Sequence, residues 1–406
     1  MSKMLRFEIK KIFSKTKNRT TVIALLVILI AISILTINRV EYVDENGNHS
    51  TGILAARNLR EAKNEWSGYL TEDTFRKALE KNREINNSKE ALSDDIVEQD
   101  KAYAKKQGIS SIIDVINSAF SAYRDYDYYA ADHVSDDEVG TIYERRISTL
   151  KEWLDSGEES FTDEEKNFLI QHYENLKTPF YYEYADGWAV LMQSISTFIL
   201  ILALVIGFFV SGIFSDEFQL KADSIFFSTR FGRNKGISSK IGAGFCITTG
   251  FYVVFVFLYT FIVLFVLGAD GANCPVQLDL WRSVYNLTFL KAYLFIVLGG
   301  YIGTVFASTL AMLVSAFTHS TPSAIIVPFI VLCAFPFLSR IITLPQLCSF
   351  FPDQLLEIYI DIKEAGLVTI GSKVLTTATV IVPVYAVICV ILQPILYQAY
   401  KKAEIK

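Results

Sequence analysis

Six apolar stretches, 20–37, 188–214, 242–268, 288–317, 322–342 and 374–398, restrict this chain to architectures that a lipid bilayer accepts. A helix crossing a hydrocarbon core of about 30 Å needs roughly 20 mostly apolar residues. Lipid offers no partner for a free N–H or C=O, so each run must be a helix or part of a closed barrel. The runs are continuous rather than alternating, which selects helices. The chain reads as an all-α membrane protein with six transmembrane helices, and a hydrophobic share of 51% agrees.

Charge sets the expected topology. The segment 1–19 carries Lys3, Arg6, Lys10, Lys11, Lys15, Lys17 and Arg19 against Glu8. The loop 215–241 carries Lys221, Arg230, Arg233, Lys235 and Lys240 against Asp216, Glu217 and Asp223, and the tail adds Lys401, Lys402 and Lys406 against Glu404. The segment 38–187 between the first two runs is strongly acidic. Short basic segments stay in the cytoplasm, so both termini and the loop 215–241 are expected inside and the acidic insertion outside. The first apolar run is too long for a signal core and no A-x-A-like site follows, so it reads as a retained span. Before it, Leu5, Ile9, Ile12 and Phe13 share a helical face opposite lysines, the pattern of a helix lying on the inner membrane surface. The expected division is 1–37 (surface helix and first span), 38–187 (outer helical domain) and 188–406 (five further spans).

In the insertion, Ile109, Ile112, Ile113, Ile116, Phe120 and Tyr123 recur at helical spacing, as do Tyr143, Ile147, Leu150 and Leu154, and then Leu169, Tyr173 and Leu176. Ser135 to Glu138 and Thr162 to Glu165 have capping-box spacing. Four or five helices are expected, with a long one near 72–107. Tyr123, Tyr126, Tyr128 and Tyr129 sit beside Asp125, Asp127 and Asp132. That cluster reads either as a surface for a cationic or amphipathic ligand or as packing beside a solvated acidic face. Ala130 stands where a calcium loop needs Gly, which argues against an EF-hand.

The five cysteines show no metal-like spacing, and no metal site is expected. Cys246, Cys333 and Cys389 fall within spans, whereas Cys274 and Cys348 fall in expected outer loops, where they either pair as a disulfide or remain free thiols. No G-x-x-x-x-G-K-[ST], H-E-x-x-H or G-x-S-x-G pattern occurs, so no catalytic residue or cofactor is assigned to this chain. The spans lack ionisable residues apart from Lys291, Arg340 and Lys373 near their ends. Ion-coupled carriers usually place such groups inside the membrane. Their scarcity favours a path powered by an external motor.

The stretch 214–241 contains Ile225, Phe226, Phe227 and Phe231 amid charges, apolar anchors with a polar rim such as docking surfaces use. In Glu217, Asp223, Ser224, Ile225, Ser228, Thr229, Gly232, Arg233 and Lys240 it resembles the inner loop of permease subunits of bacterial ABC transporters of the type-2 exporter class. Lys221 stands where that loop commonly has Gly. The resemblance covers most of the chain except the insertion. It implies two permeases, identical or paralogous, each docking a separate ATPase subunit that holds ATP and magnesium. The docking residues would be Asp216, Glu217, Asp223, Ser224, Ile225, Phe226, Phe227, Phe231, Gly232 and Arg233. It also implies short re-entrant or surface helices over 343–373 and residence in a bacterial plasma membrane. No nucleic-acid partner is expected. The competing reading is a membrane receptor or scaffold with an outer recognition domain and no transport. Gly299, Gly300 and Gly303 in the fourth run favour close helix approach.

Overall fold

A computed structural model describes residues 3–333 and 349–403. The protein is mostly helical, and five of its helices are long and apolar enough to cross a membrane: α2 (Thr16–Ile37), α10 (Asp186–Gln219), α12 (Ile237–Leu267), α13 (Phe289–Thr318) and α16 (Thr377–Lys401). Of the fifth expected span, 322–342, the first part is the helix α14 (Thr321–Cys333), and the remainder lies outside the described residues. The surface helix is present as α1 (Lys3–Ser14). A turn at Lys15 separates it from α2.

The helices sort by how much of their surface is covered. In the most apolar windows of α10 and α13, 67% and 56% of residues are buried, against 28% in α2 and α16 and 33% in α12. α10 and α13 therefore form the centre. The others turn apolar faces outward, including Ile23, Val27 and Ile30 on α2, Phe257, Phe261 and Phe265 on α12, and Val387, Val390 and Ile391 on α16. Such faces suit lipid. The three glycines of α13 are close-approach positions. A Cβ on Gly300 would lie 2.7 Å from Ile199 of α10, and one on Gly299 would lie 2.6 Å from Ile358. Hydroxyls add polar contacts between helices: Ser315 donates to Ser211 O at 2.5 Å, and the Ser215 and Thr321 hydroxyls pair at 2.7 Å.

The insertion holds seven helices rather than four or five: α3 (Ile53–Asn64), α4 (Glu72–Asn86), α5 (Ile96–Lys106), α6 (Ser110–Phe120), α7 (Ala130–His133), α8 (Ile142–Ser156) and α9 (Asp163–Glu174). The single long helix expected over 72–107 is broken. Asn87 caps the end of α4, and Asp95 starts α5 by accepting from Val97 N at 2.9 Å. Short polar side chains there offer the backbone an alternative to the helical ladder. The capping box at Thr162 forms in full. At Ser135 only half of one forms: Glu138 accepts from the Ser135 N–H, and the chain runs through a 3-10 turn before α8. β1 (Glu41–Val43) and β2 (His49–Thr51) form a local antiparallel hairpin, and β3 (Gly68–Tyr69) pairs with β4 (Tyr181–Tyr182) to join the early part of the insertion to its end. In the stretch 343–373, described from 349, a 3-10 turn (Pro352–Leu356) and α15 (Ile358–Lys363) lead into a hairpin. Its strands are β5 (Leu367–Ile370) and β6 (Lys373–Thr376), a departure from the helices expected there. The β-branched content of that run and Gly371 at φ +64° account for it.

One continuous apolar core runs from the insertion into the bundle, joining Phe75, Ile116 and Leu150 to Phe198, Tyr259 and Phe289. The seam also carries buried charge. Arg146 of α8, 4% exposed, donates to Trp281 O at 2.9 Å and Ser283 O at 2.8 Å in the loop between α12 and α13. Its guanidinium lies 3.7 Å from the Tyr173 ring centroid. Lys63 of α3 pairs with Asp186 at the start of α10 at 2.6 Å. The insertion is thus fastened to the bundle rather than tethered by two chain ends. We expect Arg146→Met to cost about 1–3 kcal/mol for each carbonyl left without a donor. Thermal melts of the purified protein in detergent measure this, and an unchanged melt would refute the fastening role.

Candidate functional site

The end of the bundle that carries the N-terminus is organised around one lysine. α10 is 34 residues long. At 1.5 Å per residue it spans roughly 50 Å, well beyond the hydrocarbon thickness. Its last turns carry Asp216 and Glu217, both buried. Lys240, near the start of α12, has no exposed surface. Its ammonium donates to Glu217 Oε1 at 2.8 Å and Ile213 O at 3.0 Å, with Glu8 Oε2 of α1 at 3.3 Å. The same Glu217 oxygen receives Lys11 of α1 at 2.7 Å, and Lys15 pairs with Asp216. Burial works against the Lys11 ammonium, but the charge and hydrogen bond of Glu217, backed by Glu8 and Asp216, raise its pKa above the ordinary value. Lys11 and Lys15 sit four residues apart, one turn along the chain, and meet two adjacent acids.

α10 ends in a Schellman motif. The Ala222 N–H reaches Glu217 O at 2.7 Å, and the Lys221 N–H reaches Phe218 O at 3.1 Å. Lys221 adopts φ +53°, the left-handed conformation that the commoner Gly would take without strain. A short helix, α11 (Asp223–Ser228), follows, and then a π-turn (Gly232–Gly236) that leads into α12. A Cβ on Gly232 would lie 1.9 Å from Phe226 O, so the backbone approach there admits only glycine.

The phenylalanines of this loop divide. Phe227 is buried and Phe226 half-buried, and both pack against Tyr400 of α16, with ring centroids 5.2 and 6.0 Å away. Tyr400 is fully buried, and Phe214 stands edge-on to it at 4.7 Å. Arg233 donates to Lys401 O at 2.6 Å, capping the end of α16, and its guanidinium lies 4.5 Å from the Phe227 ring centroid. By contrast, Leu220, Ile225 and Phe231 are 70%, 69% and 43% exposed. Of the ten residues expected to dock a partner, Ser224, Ile225 and Phe231 face solvent. Asp216, Glu217, Asp223, Phe227 and Gly232 are buried within the chain's own contacts, and Phe226 and Arg233 are partly so. Leu220 joins the exposed set although the sequence pattern did not single it out. Tyr400 was also missed, since a tyrosine in the last turn of a span ordinarily reads as an interface anchor.

At the other end, the four tyrosines separate. Tyr123 stacks on Trp153 at 4.4 Å, and its hydroxyl meets that of Tyr173 at 3.1 Å, which makes it a packing residue. Tyr126 donates to Asp114 at 3.2 Å and stands edge-on to Tyr128 at 4.7 Å; these two line a recess between insertion and bundle. Tyr129 is exposed and lies outside it. Cys274 is a buried free thiol, and Cys348 lies outside the described residues. No group of three His, Cys, Asp or Glu that could hold a metal occurs among the described residues.

No family model, curated protein or solved structure matches this chain. We expect Lys240→Met to destabilise the protein by about 3 kcal/mol, the lower end for a buried pair that loses one partner, because Lys11 stays beside Glu217. Adding Glu217→Leu should recover part of that loss. Chemical denaturation of the single and double variants reads the coupling, and strictly additive costs would show that the two charges do not act together.

Proposed function

We propose that this chain is the membrane-spanning permease subunit of an ATP-driven exporter. In this reading both termini and α11 face the cytoplasm of a bacterial cell, and the acidic insertion lies outside the plasma membrane. A second permease, a copy or a paralogue, completes the path. Separate ATPase subunits hold ATP and magnesium and seat against the loop 215–241. The observation that carries the reading is the exposure of three apolar side chains of this loop, Leu220 at the end of α10, Ile225 on α11 and Phe231 just after it, around a short helix whose Phe227 is locked into the bundle. Apolar anchors with a charged rim are what a docking surface needs.

The locked side supplies a physical route for work. Phe227 bears on Tyr400 of α16, Glu217 holds Lys240 of α12, and Lys11 and Lys15 bring α1 to the same point. A push on Ile225 would therefore reach α1, α10, α12 and α16 through packed rings and buried ion pairs. Interlocked contacts of this kind transmit displacement, because a close-packed interior has little room to yield. The acids of the loop thus transmit motion, and the exposed apolar residues make the contact with the ATPase.

Two measurements test this. In intact cells, Tyr129→Cys should react with a membrane-impermeant maleimide, whereas Ile225→Cys should react only after permeabilisation. In the complex purified from native membranes, Ile225→Asp combined with Phe231→Asp should lower copurifying ATP hydrolysis by about ten-fold, as expected when anchor residues of an interface are lost. Labelling of Ile225→Cys in sealed cells, or hydrolysis unaffected by the paired charges, would sink the proposal.

A further inference from the structure

Where the insertion meets the bundle, the protein leaves a recess of about 320 Å³, at the small end of ligand pockets. Its walls come from distant parts of the chain. α6 contributes Asp114, the start of α10 contributes Asp186, and the loop between α12 and α13 contributes Asp279. Lys63, the buried cation beside the recess, is already engaged by Asp186 at 2.6 Å and by the Ser111 hydroxyl at 3.0 Å. Asp114 is met only by the neutral Tyr126 hydroxyl. Among the described residues no basic side chain is in ion-pair contact with Asp114 or Asp279. Desolvation pushes both carboxyls upward, Asp279 to about 6, against the more distant pull of Lys63 on both and of Lys363 on Asp279.

A second observation is independent of charge. Tyr182, at the edge of the insertion, is 2% exposed and lines the recess, yet its hydroxyl has no hydrogen-bond partner of acceptable geometry. The Ser111 hydroxyl, which accepts from Lys63, lies near it but outside hydrogen-bond geometry. A buried phenol without a partner is costly unless something else fills that role. The third feature is apolar. The edge-on pair Tyr126 and Tyr128 offers ring surface beside the acids.

We propose that this recess binds a primary ammonium ion carried on a small apolar body. The N–H groups would donate to the carboxylates of Asp114 and Asp279 and to Tyr182 Oη. The apolar body would lie against the Tyr126–Tyr128 pair, where ring faces also favour a cation. The site does not depend on the transport reading, since it would serve an exporter and a receptor alike.

The test is titration calorimetry on the full-length protein in detergent, with three probes of similar size: benzylammonium, benzyltrimethylammonium and benzyl alcohol. Wild-type protein should bind both cations and bind the alcohol at least ten-fold more weakly. Asp279→Asn and Asp114→Asn should each weaken both cations about ten-fold, whereas Asp94→Asn, on an exposed face elsewhere in the insertion, should leave them unchanged. Tyr182→Phe should weaken benzylammonium about three-fold and spare benzyltrimethylammonium, which has no N–H. Thermal melts of the variants confirm folding; both aspartates are exposed and asparagine keeps their size, and the phenylalanine removes an unpartnered hydroxyl. Equal binding of alcohol and amine would overturn the proposal. So would wild-type affinity in both asparagine variants, or an equal loss in Asp94→Asn.

Discussion

A lysine that is wholly out of solvent cannot hold its charge without anions at its side, and Lys240 is such a lysine. Its need draws Glu217 and Glu8 inward, and Glu217 in turn draws Lys11. The result is a knot that sets the last turn of α10, the first turns of α12 and the helix α1 in one arrangement. An isolated ion pair at a surface would contribute little. Here the groups are buried, and displacing any one of them strands another. Buried pairs of this sort are better evidence of a specified geometry than of a large net stabilisation.

The aromatic cluster around Tyr400 does the same for the end of α16 without charge. Phe214, Phe218, Phe226 and Phe227 approach Tyr400 from α10 and α11, and Arg233 closes the carbonyl end of α16. Two long helices, α10 and α16, therefore converge on a six-residue helix. The side of α11 that remains exposed carries Ile225 between Ser224 and Ser228, with the exposed Leu220 and Phe231 flanking the helix in sequence. That combination, a rigid back and an apolar front, makes the loop a reasonable place for another protein to act on the bundle.

The two ends of the molecule treat charge differently. At the N-terminal end each buried cation has its acid. At the insertion end Arg146 donates to two backbone carbonyls and Lys63 pairs with Asp186, while Asp114 and Asp279 line a recess with no ion pair among the described residues. The acidity of the insertion, visible in composition as general solvation, is thus locally concentrated. The tyrosine cluster also resolves by environment. Tyr123 is taken up in packing against Trp153, while Tyr126 and Tyr128 remain at the recess.

Continuous apolar runs, their lengths and the surface-helix pattern of residues 4–17 depend only on local order along the chain, so the helical membrane architecture and the presence of α1 could be read directly. So could the cap at Thr162, because a capping box involves residues three apart. The break between α4 and α5 was available in Asn87, Ser88 and Asp95 but was outweighed by the surrounding helical spacing. Other features were beyond such reading. That Glu217 meets Lys240 and Lys11, that Phe227 faces Tyr400 while Ile225 faces away, and that Asp279 stands across a cavity from Asp114 are facts about residues tens to hundreds of positions apart. Residue type and spacing constrain a segment's conformation, but which side chains become neighbours depends on how the helices pack, and only the tertiary structure decides that.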